Sequence, residues 1–204
     1  MSATRPIAAP NLPTAPNEYQ QRYQDQLNNI NRLYSNTVAN AINSPYPFGS
    51  FYSTITQTNP VANTRNLMTL DSTVYNYNVS LGGATTSATP PSYSRIYVAN
   101  TGVYNIQFSA QADKTGGGAD LLYIWLRLNG VDVAASAGKV VISGPNAEAI
   151  PAWNYVIVMN EGDYVELAWS SSDTTMVLAA VAASSPVPAI PSVIATIVWV
   201  SNLP

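Results

Sequence analysis

Strict two-residue alternation in the middle of the chain leaves few folds open. In Gly102-Val103-Tyr104-Asn105-Ile106-Gln107-Phe108-Ser109-Ala110, the residues Tyr104, Ile106, Phe108 and Ala110 fall on one side. Asn105, Gln107 and Ser109 fall on the other. Successive side chains of a strand point to opposite faces, so this is the pattern of a strand with one face in a core. Leu122, Ile124, Leu126 and Leu128 repeat it, opposite Tyr123, Trp125 and Arg127, and Asn129-Gly130 then supplies a hairpin turn. A third stretch opens on Gly162-Asp163 and sets Val165, Leu167 and Trp169 together. The outer sides of these strands differ in character, which predicts a sheet whose second side is not uniformly wet.

Turn residues divide the rest of the chain after residue 44 in the same way. Strands are predicted at 51–57, 66–70, 73–81, 93–99, 103–112, 121–129, 131–135, 139–143, 151–160, 164–170, 176–182 and 192–200, with Gly, Pro, Asn and Ser between them. Many short strands without an intervening helical period point to a sandwich and not to an α/β fold. The last strand sets Val193, Ala195, Ile197 and Trp199 on one side and Ile194, Thr196, Val198 and Val200 on the other. Both sides are apolar apart from Thr196, so both are expected to be buried. The inner side meets the opposite sheet. The outer side needs separate cover, and a neighbouring subunit is the simplest. Tyr123 and Trp125 ask for the same cover. Tyr123, Trp125, Ile194, Val198 and Val200 are therefore the expected subunit interface of the head, near the axis of an oligomer.

The N-terminal part obeys other rules. Residues 1–16 carry Pro6, Pro10, Pro13 and Pro16 and little that can pack. Proline fixes φ and removes a donor, so this is an extended arm, either a tail or an anchor on a partner. Ile7, Leu12, Pro13 and Pro16 would make the anchor. Asn17 can cap a helix starting at Glu18. From Glu18 to about Asn43 the apolar side recurs at Tyr19, Tyr23, Leu27, Ile30, Tyr34, Val38 and Ala41, widened by Leu33 and Ile42. These 22 residues in six steps average about 3.67, an eleven-residue helical repeat. Glu18 and Arg22 are spaced to pair at i, i+4. The stripe Tyr19, Tyr23, Leu27, Ile30, Tyr34 and Val38 either packs on its own domain or joins a three-stranded bundle in an oligomer. Pro45, Pro47 and Gly49 end the helix. The expected organisation is an arm at 1–16, a helical stalk at 17–44 and a β head at 45–204.

Composition narrows the chemistry. The chain has no Cys and no His, which removes disulfides, thiol chemistry, the commonest general base and the usual zinc ligand. Two carboxylates suffice for a glycosidase, yet nothing selects a pair among the eleven acids. No enzyme activity and no cofactor are expected. Gly116-Gly117-Gly118 lacks the Gly-Lys-Ser/Thr ending and the succeeding helix of a phosphate loop, so a hairpin loop is expected there. Asp113 and Asp120 flank it and are the weak candidates for a Ca²⁺ site. Charged residues make up 9 % of the chain and the formal charge is -3, with Lys and Arg scattered singly, so no nucleic-acid partner is expected. Residues 1–10 contain no apolar core of the length a signal peptide needs, and no run reaches the ~20 residues of a membrane helix. Loops at 59–66, 82–93, 143–149 and 171–175 are rich in Tyr, Thr, Ser and Asn. They suit either plain polar connections or contact with glycan or protein.

Two resemblances add to this reading. The order Gly102-Val103-Tyr104-Asn105-Ile106-Gln107-Phe108, Leu126-Arg127-Leu128-Asn129-Gly130, Asn160-Glu161-Gly162-Asp163-Tyr164-Val165-Glu166-Leu167 and Val193 to Val200 resembles the C1q/TNF-like jelly-roll domain. It spans roughly Ser50 to Val200 and implies a mainly β jelly-roll head that is trimeric; burial alone gives only an oligomer. The stretch Leu12-Pro13-Thr14-Ala15-Pro16-Asn17-Glu18-Tyr19 and the helix after it resemble virion proteins of marine tailed phages, in which such a segment precedes a β-rich tip. That resemblance implies a structural protein of the virion surface, made in the host cytoplasm and released with the particle. It would sit as a head fibre or capsid decoration held to other virion proteins by its N-terminus. The alternative is a tail-fibre tip that recognises a host surface glycan or receptor.

Overall fold

The computed structural model describes residues 7–43, 45–84 and 91–203, and helix side chains as far as residue 40. It divides the chain into two compact units, Ser2–Pro45 and Tyr46–Pro204. Residues 1–6 of the expected arm, the side chains of Ala41 and Ile42, and residues 85–90 of the loop 82–93 lie outside the described residues.

In the first unit residues 7–16 have no regular structure, and α1 (Gln21–Asn43) comes after them. The helix starts later than its sequence pattern predicts. Tyr19 is 82 % exposed and lies before it, so it is not part of the helical stripe. Glu18 also precedes the helix, so its i, i+4 spacing to Arg22 does not lie on a helical turn, and Asn17 is too far back to cap. Side-chain amides support the exposed surface instead: Gln24 donates to Asn28 Oδ1 at 3.1 Å, and Arg32 donates to Asn29 Oδ1 at 2.9 Å. Tyr23, Leu27, Ile30, Tyr34 and Val38 share one side and are half-buried, and Leu33 is exposed. None of the helix's described side chains is buried.

The second unit is built of strands. They are β1 (Phe48–Ser53), β2 (Gln57–Thr58), β3 (Asn66–Leu67), β4 (Ser72–Tyr77), β5 (Val79–Ala84), β6 (Tyr93–Val98), β7 (Gly102–Ala110) and β8 (Ala112–Lys114). Then come β9 (Ala119–Leu128), β10 (Val131–Asp132), β11 (Gly138–Ser143), β12 (Ala147–Ala149), β13 (Ala152–Met159), β14 (Tyr164–Ser171), β15 (Met176–Leu178) and β16 (Val193–Ser201). One sheet has the order β13-β7-β16-β1-β4. The other has the order β10-β9-β14-β6-β5, with β11 paired to β9 and β3 to β14. A short sheet, β12-β8-β15-β2, continues the first beyond Gln111. From β6 onward the chain alternates between the two sheets in the order β6, β7, β9, β13, β14 and β16, with β11 added beside β9, and the first long strand, β1, lies beside the last, β16. That wrapping is a jelly-roll sandwich.

The alternation read from the sequence decides which side of each strand is inside. Tyr104, Ile106 and Phe108 of β7 and Ala195 and Ile197 of β16 meet Leu122, Ile124 and Leu126 of β9 and Val165, Leu167 and Trp169 of β14 in one buried core. The stretch 73–81 is two strands instead of one. Asn78 takes a left-handed φ of 53° there, which asparagine tolerates, and the chain crosses from one sheet to the other. Asn129 and Gly130, with φ 49° and 80°, form the expected hairpin turn between β9 and β10. Trp199 departs from the inner row of its strand: it is half-buried and stacks on Tyr46 with ring centroids 4.7 Å apart. Gly102 must be glycine because any Cβ there would overlap the Trp199 ring.

Tyr104 gives the core a pH signature. Its ring is fully buried and its hydroxyl donates to Asn100 O at 2.7 Å. Burial disfavours the phenolate and pushes the pKa up to about 12. A raised pKa makes the neutral form the folded form. Its contribution to stability is complete below the ordinary tyrosine value of ~10 and is lost as pH rises through the folded value. A tyrosinate absorbance step near the top of an alkaline titration is therefore expected, and Tyr104→Phe should remove it. An unchanged titration in that variant would contradict the assignment.

Candidate functional site

A sandwich has two outer faces, and here they differ in charge. No Asp, Glu, Lys or Arg occurs in any of the five strands β13, β7, β16, β1 and β4. The outer side of this sheet reads, row by row across the register, Val156–Asn105–Val198–Phe48–Tyr77 and Asn154–Gln107–Thr196–Ser50–Tyr75. Ile194, Val198 and Val200 are 40 %, 48 % and 54 % exposed, so the second apolar side of the last strand is uncovered within the single chain. At one end the segment 179–192 folds back on itself through the bridges Val181↔Ile190 and Ser184↔Val187. Together with β1, β4 and β16 it encloses a groove of ≈ 890 Å³ lined by Phe51, Tyr52, Val74, Val181, Ile190 and Ile194 among others.

Tyr123 and Trp125 are not on that face. They sit on the outer side of the other sheet, where β9 pairs with β14 as Tyr123↔Ser170, Trp125↔Ala168 and Arg127↔Glu166. The five residues expected to form one head interface are therefore split between opposite faces. Parity tells inside from outside in each strand. It does not tell which sheet the strand joins.

The face that carries Tyr123 and Trp125 also holds an ion-pair network that sequence reasoning missed. Glu166 is buried and accepts from Arg95 Nε at 3.2 Å and from Arg127 Nη1 at 2.5 Å. Arg127 is buried as well: its Nε donates to Asp132 Oδ1 at 2.9 Å and its Nη2 donates to Gly130 O. Trp125 Nε1 donates to the same Asp132 oxygen at 2.9 Å, and Arg65 lies 3.9 Å from the other. The Arg95 guanidinium stacks over the Tyr164 ring, 4.4 Å from its centroid. The indole hydrogen bond from Trp125, reinforced by Arg127, holds the Asp132 carboxyl below the usual range. Hydrogen bonding to Tyr97 and then to Glu166 raises the Arg95 pKa above its ordinary value. The one usable signal in the sequence was Arg127 and Glu166 at outward parity on two strands, and it needed the register to be read.

The weak Ca²⁺ candidates do not converge. Lys114 is fully buried, and its ammonium donates to Gly117 O at 3.3 Å, to Gly118 O at 3.1 Å and to Asp120. The glycine loop thus wraps a lysine of the chain itself, and Asp120, one of the two Ca²⁺ candidates, pairs with that lysine. Asp113 precedes Lys114 on β8 and so points to the opposite side, in register with Glu148 and Val177. Among the described residues no group of three or more His, Cys, Asp or Glu is placed to hold a metal ion. Of the anchor residues, Ile7 and Leu12 are exposed and Pro13 and Pro16 are half-buried. No helix among the described residues is long and apolar enough to cross a membrane.

No protein-family model matches the chain, and no curated protein matches it. Among solved structures it is similar to the globular domain of zebrafish complement 1qA protein, with 12 % sequence identity and a TM-score of 0.44, covering 78 % of this chain and 100 % of that one.

Proposed function

We propose that the chain is a structural, non-enzymatic protein of a virion surface. It is a homotrimer, a head fibre or capsid decoration held to other virion proteins by its N-terminal arm. The α1 unit is the stalk and the jelly-roll unit is the solvent-facing head. It is made in the host cytoplasm and leaves with the particle, with neither membrane nor nucleic acid as a partner. The observation that carries the assembly part is the charge-free outer face of the five-stranded sheet, with Ile194, Val198 and Val200 uncovered. A face without charges can meet its own copy without like-charge repulsion, and its exposed apolar side chains gain from leaving water. The half-buried stripe of α1 supports the same reading. The number three comes from the resemblance of the strand motifs to C1q/TNF-like domains, and the particle comes from the resemblance of Leu12–Tyr19 to phage virion proteins.

A second reading, a tail-fibre tip that binds a host glycan or receptor, is favoured by the arginine and aromatic cluster on the opposite face. Gold-labelled antibody against the head, applied to purified particles from the source sample, separates the two. Label on the capsid shell is the expected result. Label on the tail transfers the assignment to the tip. Unlabelled particles in a sample that contains the protein overturn the virion reading.

A further inference from the structure

The geometry points to a binding site for an acidic polysaccharide, one built of uronic or similar carboxylate-bearing sugars, on the outer face of the seven-stranded sheet around Arg65, Arg95 and Asp132. Three of the chain's eight basic residues gather here, in a protein whose formal charge is -3. Arg127 and Glu166 form the floor. Both are buried, each is held by more than one partner, and their donors and acceptors are spent on one another and on Asp132, Gly130 and Arg95. Arg65 and Arg95 flank this floor with side chains 49 % and 39 % exposed. Arg95 is held by Glu166 and Tyr97 through Nε and Nη1 while its side chain stays partly exposed. Among the described residues Arg65 has only its 3.9 Å approach to Asp132.

The mixture of groups selects the ligand class. A guanidinium offers paired donors that match a carboxylate. Asp132, with its side chain 54 % exposed, offers an acceptor for sugar hydroxyls beside them. Tyr97 and Trp125, both half-buried, offer ring surface against which a pyranose can lie. A nucleic-acid strand needs an unbroken basic track. Here Asp132 and Glu166 interrupt it. A neutral glycan would leave the arginines without a counter-charge. The inference deepens the second reading above, recognition by the head, and needs neither a trimer nor a particle.

The test is binding of the full chain to polygalacturonate, with its methyl ester as the uncharged control polymer and dextran sulfate as the sulfated one. The expected result is retardation by polygalacturonate that weakens with salt, is absent with the ester, and falls at least tenfold in the double variant Arg65→Gln/Arg95→Gln. Arg65→Gln alone removes only an exposed, loosely paired group and serves as the variant whose fold is secure; it should weaken binding severalfold. Arg32→Gln, an exposed basic group of α1 in the other unit of the chain, should bind as the native chain does. No binding to polygalacturonate, equal binding to the ester, or unchanged binding by the double variant overturns the inference. Tighter binding to dextran sulfate with the same sensitivity to the variants overturns the carboxylate assignment. The native mass of the same samples shows whether the assembly reading stands apart from that outcome.

Discussion

Glu166→Leu is expected to destabilise the head by about 3–5 kcal/mol, the range for breaking a buried ion pair from one side. Both partners of the Arg127 Nη1–Glu166 Oε2 contact are almost out of solvent, with side chains 10 % and 2 % exposed. Removing the carboxylate leaves Arg127 with Asp132 and Gly130 O but with an unpaired nitrogen in a desolvated place. That loss is a large part of the roughly 5–15 kcal/mol by which a domain is stable. The companion variant Glu166→Leu/Arg127→Met removes both charges and should recover most of the loss, because apolar replacements of a buried pair are often neutral or better. Urea unfolding midpoints at constant slope measure both. A loss under about 1 kcal/mol for the single variant, in the range of an exposed pair, would contradict the burial assigned to this network.

Val198→Asp is expected to dissociate the assembly into single folded chains. The residue is 48 % exposed in the single chain and lies across from Asn105 and Phe48, in a sheet without a charge. An aspartate there costs little in the free chain, since exposed substitutions usually change stability by less than about 0.5 kcal/mol. In an assembled face the same carboxylate is desolvated once per subunit and faces its own copies. Each ~1.4 kcal/mol of that cost weakens association tenfold. Ile194→Asp should act in the same direction. Tyr123→Asp, on the opposite face, should leave the native mass unchanged. If Tyr123→Asp dissociates the assembly and Val198→Asp does not, the interface is on the other sheet.

Much of the sandwich is legible in the sequence because alternation is a local signal. Tyr104, Ile106 and Phe108 announce their own buried side, and Asn129-Gly130 announces its own turn. The features that stay hidden depend on pairing between distant strands. Ile194, Val198 and Val200 are recognisable as an apolar outer side, yet only the strand order separates them from Tyr123 and Trp125. The absence of charge from one whole sheet is written in the sequence, but it becomes visible only when five scattered strands are known to be neighbours. Arg95, Arg127 and Glu166 look like single charges for the same reason. Lys114 and Asp120 show a local failure: Asp113 and Asp120 flank the glycine loop as a weak Ca²⁺ pair, yet Asp113 points away and Asp120 pairs with the buried Lys114. The helix begins three residues after Glu18 because the apolar period at Tyr19 continues a pattern that the backbone does not.

Light scattering of the full chain across a dilution series gives its native mass, and with it whether the charge-free sheet face is covered by other copies. A trimer gives three times the 21.8 kDa of one chain, falling to a single chain in Val198→Asp. A mass of 21.8 kDa for the native chain at micromolar concentration would contradict it, because the charge-free face would then stand in water with nothing to cover it.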